Sequence, residues 1–277
     1  MNSRHSDDHA ARYGRRDALK IGGLTVSVAA LVAACGDDRT GDDSPGRVGY
    51  APPVTDPPDY PIDDAVLLRT ASSLELTLVD VYESLLGIGV LEGDQIVLVE
   101  RLIEDHRAVA DEMGELTESV GGVPWECTNP WYMERLVAPL SEAIQGSDDP
   151  MRDILNTSVA LENIAAATHQ TLTIDLTDAA ASAATIAAAT LESRHAAAIV
   201  AASRGPEGYV SPTIGGGGVQ NDEQGIPFQF AITDRFGSTG QIELVVGAPD
   251  ENGVRETFVL QTPSLNALIY NELEPTC

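Results

Sequence analysis

The stretch "DAAASAATIAAATLESRHAAAIVAAS", residues 178–203, decides how this chain folds. Alanine dominates it, and alanine is the best helix former because ordering it costs no side-chain entropy. From Ala179 to Leu191 there is no charge at all. Then Glu192 and His195 arrive one turn apart on the side shared by Ala188 and Ala202. A carboxylate on an apolar stripe is costly to bury unless it meets donors, an opposite charge or a metal ion. Its partners must come from other helices.

Three earlier segments have the same character. Residues 63–89, "DDAVLLRTASSLELTLVDVYESLLGIG", set Leu68, Glu75, Val79, Tyr82 and Leu86 on one stripe. Residues 93–120, "GDQIVLVERLIEDHRAVADEMGELTESV", do so with Val99, Ile103, His106, Val109 and Met113, and place Glu100, Glu104, Asp105, Arg107, Asp111 and Glu112 on the solvated sides. Residues 149–174, "DPMRDILNTSVALENIAAATHQTLTI", align Leu155, Glu162, Ala166, His169 and Thr173, with Glu162 the one acid between Asp153 and Asp175. Asp63 or Asp64, Asp94 and Asp149 are expected to cap these three helices.

The spacing repeats. Glu75 to Glu162 is 87 residues, Tyr82 to His169 is 87, and His106 to His195 is 89. That pattern predicts a duplicated helical hairpin carrying a glutamate and then a histidine on each inward stripe. Thr117 to Asp149 forms a long connection with a short helix of its own around Trp131 to Ile144. A long crossover between the second and third helices distinguishes some bundles from simple up-and-down ones.

The ends read differently. Arg15 and Arg16 precede the uncharged run Ile21–Ala34, too short to span a bilayer but suited to a signal peptide. The pair resembles a twin-arginine export signal. "LVAAC" resembles a lipobox, which would make Cys35 the lipid-modified first residue of an exported, membrane-anchored lipoprotein on the extracytoplasmic side. Residues 35–61, rich in Asp, Pro and Gly, predict a disordered tether. The chain carries 16 basic and 43 acidic residues, a formal charge of −27. Cleavage after residue 34 would remove five basic and three acidic side chains, the single lysine among them. So acidic a surface repels phosphate backbones and excludes nucleic acid as a partner, leaving the lipid on Cys35 as the membrane contact. In an exported protein the remaining cysteines, Cys127 and Cys277, most simply pair. After Arg204 comes a glycine-rich linker, then strand-like runs predicting three or four antiparallel strands within 226–271, with Asn252–Gly253 as a two-residue hairpin turn.

"LELTLVDVYESLL", "ALENIAAATHQTL" and "LESRHAAAI" together resemble the exported members of the bacterial ferritin-like domain family, over about residues 63–205. The resemblance implies an all-α, ferritin-like four-helix bundle with a long crossover between helices 2 and 3, here with a small C-terminal antiparallel β appendage. The expected division is a signal peptide at 1–34, the tether at 35–61, the bundle at 62–205, and a linker with the β-rich region at 206–277. It also implies a dinuclear iron or manganese site in the bundle core, in which one helix pair gives single glutamates and the other Glu-x-x-His. Carried over, Glu75 and Glu162 are the single carboxylates, Glu192 and His195 one Glu-x-x-His, and His106 the histidine of the other. Ile103 stands where that second motif has its glutamate. Neither Glu100 nor Glu104 faces the same way, so the five residues present suit a single ion. Tyr82 and His169 are expected to hydrogen-bond the ligands rather than to ligate. Two functions remain open: redox or metal handling at this site, and a non-enzymatic surface module whose Glu and His residues bond one another without metal. The sequence leaves the protein partner and the oligomeric state, a homo-oligomer included, undetermined.

Overall fold

The structure, a computed structural model, describes residues 59–204, 241–275 and 277. The expected signal peptide, Cys35, the tether as far as residue 58 and residues 206–240 of the expected linker and β-rich region lie outside them. The described chain is mostly helical. Four long helices carry it: α1 (Asp64–Gly87), α2 (Asp94–Ser119), α4 (Pro150–Asp175) and α5 (Ala179–Arg204). Between α2 and α4 lies an interrupted helix, α3, that is α over Pro130–Tyr132, π over Met133–Val137 and α again over Ala138–Gln145. Among the described residues no helix is long and apolar enough to cross a membrane.

Three of the four long helices start where a side chain can satisfy their first amides. Asp63 accepts from Val66 N at 2.9 Å and Asp149 from Arg152 N at 3.1 Å. Asp178 does the same for Ala180 and Ala181. Asp94 does not cap α2, contrary to expectation: it is the first helical residue, and Gly93 at φ 54° is the cap. A left-handed entry favours glycine over any residue with a Cβ, and the acid then sits in the first turn, where the helix dipole favours it.

Chain-neighbouring helices pack together, α1 on α2 and α4 on α5, and the two pairs meet where α1 touches α4 and α2 touches α5. One apolar cluster joins Leu78, Tyr82, Leu102, Ile103, Ile154, Leu161 and Ile199 to the C-terminal strands. A second, nearer the α4–α5 turn, holds Leu68, Val109, Met113, Leu172 and Ala184. The crossover presses close on α1 at Gly122, where a Cβ would come within 2.6 Å of Ala65 Cβ.

The tail is a two-stranded antiparallel sheet, β1 (Gln241–Val246) on β2 (Glu256–Gln261), with Gln241 opposite Gln261 and Val246 opposite Glu256. Its alternation is the strand period: Ile242, Leu244, Val246, Phe258 and Leu260 turn inward onto the helices. The connection is not the expected two-residue turn. It spans 247–255, organised by Asp250, whose carboxylate accepts from the amides of Asn252 and Val254, both at 2.8 Å. Beyond β2 the described chain forms a short 3-10 turn, Leu265–Ala267, rather than another strand. Ile269 and Tyr270 then pack beside Trp125 and Val66. Arg69, fully enclosed, donates to Val123 O at 2.7 Å and Leu273 O at 2.6 Å, binding crossover and tail to α1. Cys127 and Cys277 lie at disulfide distance, with 5.3 Å between Cα atoms.

Candidate metal centre

Every long helix sends an ionisable side chain into one enclosed cluster. α1 contributes Glu75, α2 His106, α4 Glu162 and His169, and α5 Glu192 with His195. Glu75, His106, Glu162 and Glu192 have no solvent exposure. The alanines of α5 matter here, because Ala188, Ala189 and Ala196 fill little space and leave the neighbouring helices room to approach.

The groups are wired together by short contacts. Glu75 accepts from His106 Nδ1 at 2.7 Å and from His169 Nε2 at 2.5 Å. Glu162 accepts from Tyr82, from His106 Nε2 at 3.3 Å and from His195 Nδ1 at 3.3 Å. Glu192 Oε2 lies 3.2 Å from His195 Nδ1. Glu192 Oε1 has no hydrogen-bond partner, its nearest cationic neighbour being His106 Nδ1 at 3.7 Å. The duplication shows as an exchange: Tyr82, seven residues after Glu75, serves Glu162, while His169, seven after Glu162, serves Glu75.

Charge is distributed by these contacts. Burial opposes ionisation of Glu75, but hydrogen bonds from His106 and His169 hold it down to about 2. Burial likewise opposes ionisation of Glu162, and the charge and hydrogen bond of His106 hold it well below the usual carboxylate range. For Glu192 burial acts first and the charges of Glu75 and Glu162 add to it, so its pKa rises well above 4.5 despite the pull of His106. Burial disfavours the imidazolium of His106, yet Glu192 and Glu162 push its pKa well above 6.5. His195 moves the same way against its burial, through Glu162 and Asp105. Burial and the Glu162 charge keep Tyr82 protonated, so it donates.

All five expected ligands, Glu75, His106, Glu162, Glu192 and His195, meet in this cluster, and Tyr82 and His169 lie against two of them. Ile103 is buried in the apolar cluster and offers no donor atom. Sequence reasoning missed Asp105, which accepts from His195 Nε2 at 3.2 Å and pairs with Arg101 at the surface. It sits among the charged residues of α2, about 100° round from His106, and no local pattern distinguishes it from solvated neighbours. The donor atoms form two sets, each within 4.8 Å: His106, Glu162, Glu192 and His195, and Glu75, His169 and Glu192. This cluster could hold a metal ion. The chain matches no protein-family model, no curated protein and no solved structure.

Proposed function

We propose that this chain is an exported, lipid-anchored ferritin-like protein whose four long helices form a bundle around a glutamate–histidine site for iron or manganese, with a redox or metal-handling role. One observation carries the metal reading. Glu192 Oε1 is fully buried and unpartnered, beside two further buried carboxylates. A carboxylate left like this costs several kcal/mol of desolvation unless a cation or proton compensates it (about 1–3 kcal/mol for the missing hydrogen bond alone). A divalent ion supplies that compensation. Mixed imidazole and carboxylate donors suit iron, manganese and zinc. When bound, such an ion would provide Lewis acidity or, for iron and manganese, electron transfer. The residues of the chain fix its ligands, exclude water and, through Tyr82 and Asp105, orient Glu162 and His195.

The test is to strip the protein with chelator and melt it with Fe(II) under anaerobic conditions, Mn(II) or Zn(II). An ion bound only by the native state at about a hundred times its Kd adds about 2.7 kcal/mol, a rise in Tm on the order of 5–10 °C for a chain this size. If no ion moves the Tm, the surface-module reading takes its place.

A further inference from the structure

We infer that a cleft at the α4–α5 turn end of the helices binds a small zwitterion, an amino acid or short peptide. Its carboxylate meets Arg69 and its ammonium meets Asp178. The inference stands apart from the metal reading and shares no residue with that site.

The cleft lies where the start of α1, the loop after α2 and the α4–α5 turn come together. It has a volume of about 700 Å³ and is bordered by Asp63, Asp64, Arg69, Val123, Asp178 and Asn271, among others. That volume suits a small-molecule site. Arg69 is its distinctive wall. The residue is 2% exposed, so its charge has been taken out of water. A guanidinium has five N–H donors. Among the described residues two are used, toward the carbonyls of Val123 and Leu273, and Nε has no partner. Trp125 covers one face, its ring centre 5.4 Å away. Asp63, Glu272 and Glu274 act on the guanidinium through space without hydrogen-bonding it. A buried charge whose only acceptors are neutral is costly, and a planar carboxylate matches the open donors of the fork.

The other walls decide what else the ligand carries. Asp63, Asp64 and Asp178 would repel a plain anion, and Arg69 would repel a plain cation. Asp64 has both oxygens committed to Thr177 and Asp178. Asp63 spends one oxygen on Val66 N and the other on Asn271 Nδ2. Asp178 spends only Oδ1, on the amides of Ala180 and Ala181, which leaves Oδ2 for an ammonium. Val120 and Val123, the latter 65% exposed, offer an apolar wall to the ligand's side chain.

Calorimetric titration of the full chain, freed of metal, tests this with leucine, leucyl-leucine, leucinamide and N-acetyl-leucine. Leucine or leucyl-leucine should saturate one site per chain, and the tighter of the two names the size class of the ligand. Leucinamide lacks the carboxylate and N-acetyl-leucine the ammonium, so each should bind at least about ten-fold more weakly than leucine. Asp178→Asn keeps a capping oxygen for α5 and should weaken leucine by a similar factor while leaving N-acetyl-leucine unchanged. Arg69→Gln should abolish binding of both zwitterions. Because Arg69 also holds the crossover and tail, that variant counts only if circular dichroism shows it folded; otherwise leucinamide and Asp178→Asn decide. No saturation by either zwitterion at millimolar concentration overturns the inference. So does leucinamide or N-acetyl-leucine binding as tightly as leucine, or unchanged leucine affinity in Asp178→Asn.

Discussion

Glu192 concentrates the chemistry of the site in one side chain, and linkage fixes the sign of what it does to stability. Its native pKa lies above its ordinary value of 4.5. Its proton therefore stabilises the metal-free fold fully below about 4.5, and that contribution is withdrawn as pH climbs to the native value. His106, raised above 6.5, acts in the same direction, with its window opening at 6.5. Glu75, held at about 2, is opposite: it stabilises above 4.5 and the gain is lost as pH falls toward 2. The metal-free protein should be most stable at about pH 4.5, where the two carboxylate windows meet, and weaken progressively on the alkaline side, first through Glu192 and from about 6.5 through His106 as well. Glu192→Gln preserves the shape and removes the charge. Without metal it should melt higher than wild type at about pH 8, and its alkaline decline should shrink. Its Tm gain on adding Mn(II) should fall to a small fraction of the wild-type gain. Thermal melts across pH, with and without ion, check both; a metal-free variant melting below wild type at about pH 8 contradicts this account.

At the scale of elements, the α4–α5 turn is tied to the start of α1 by a single carboxylate. Asp64 accepts from Thr177 N and Thr177 Oγ1, both at 2.9 Å, and from Asp178 N at 2.7 Å. It thus links the two helix pairs that must stay in register for Glu75 and Glu162 to meet the same histidine. Asp64→Ala strips three hydrogen bonds at a partly exposed position and should cost about 1–3 kcal/mol. Hydrogen exchange should then lose protection first at the Thr177 and Asp178 amides; unchanged protection there would show the bracket to be idle. None of this was legible in the sequence, because Asp64 reads equally well as a cap. The helices themselves were legible, since each inward stripe carries its polar residues at helical spacing. The 87-residue repeat likewise located the Glu75–Glu162 correspondence. What failed were features decided by backbone conformation or by distant packing. Gly93 rather than Asp94 caps α2 because of a left-handed φ, and Asp250 rather than Asn252–Gly253 organises the turn before β2. Asp105 acquires its place only when a neighbouring helix arrives.

Over the whole molecule, the crossover and the tail close around the helices instead of standing apart from them. Arg69 holds both by their carbonyls, Asn129 donates to Ala267 O at 2.9 Å, and Thr70 Oγ1 accepts from Ile269 N at 2.8 Å. Cys127 and Cys277 join the same two segments across 150 residues of sequence. Closing a loop of that length restricts the unfolded chain far more than the folded one, a stabilisation of about 5 kcal/mol in the chain-entropy account. Reduction should therefore lower the Tm by on the order of 10 °C or more. Cys127→Ser with Cys277→Ser should reproduce that loss without reductant. The proposed ligands all stand on the four long helices, so ion stoichiometry below the lowered Tm should be unaffected. This pairing of outcomes separates two roles for the tail. If reduction lowers the Tm and spares the ions, the tail is a clasp on a site built elsewhere. If reduction expels the ions as well, the tail sets the spacing of α1 and α4, through the inward face of β1 and β2, and the site depends on the closure of the whole chain.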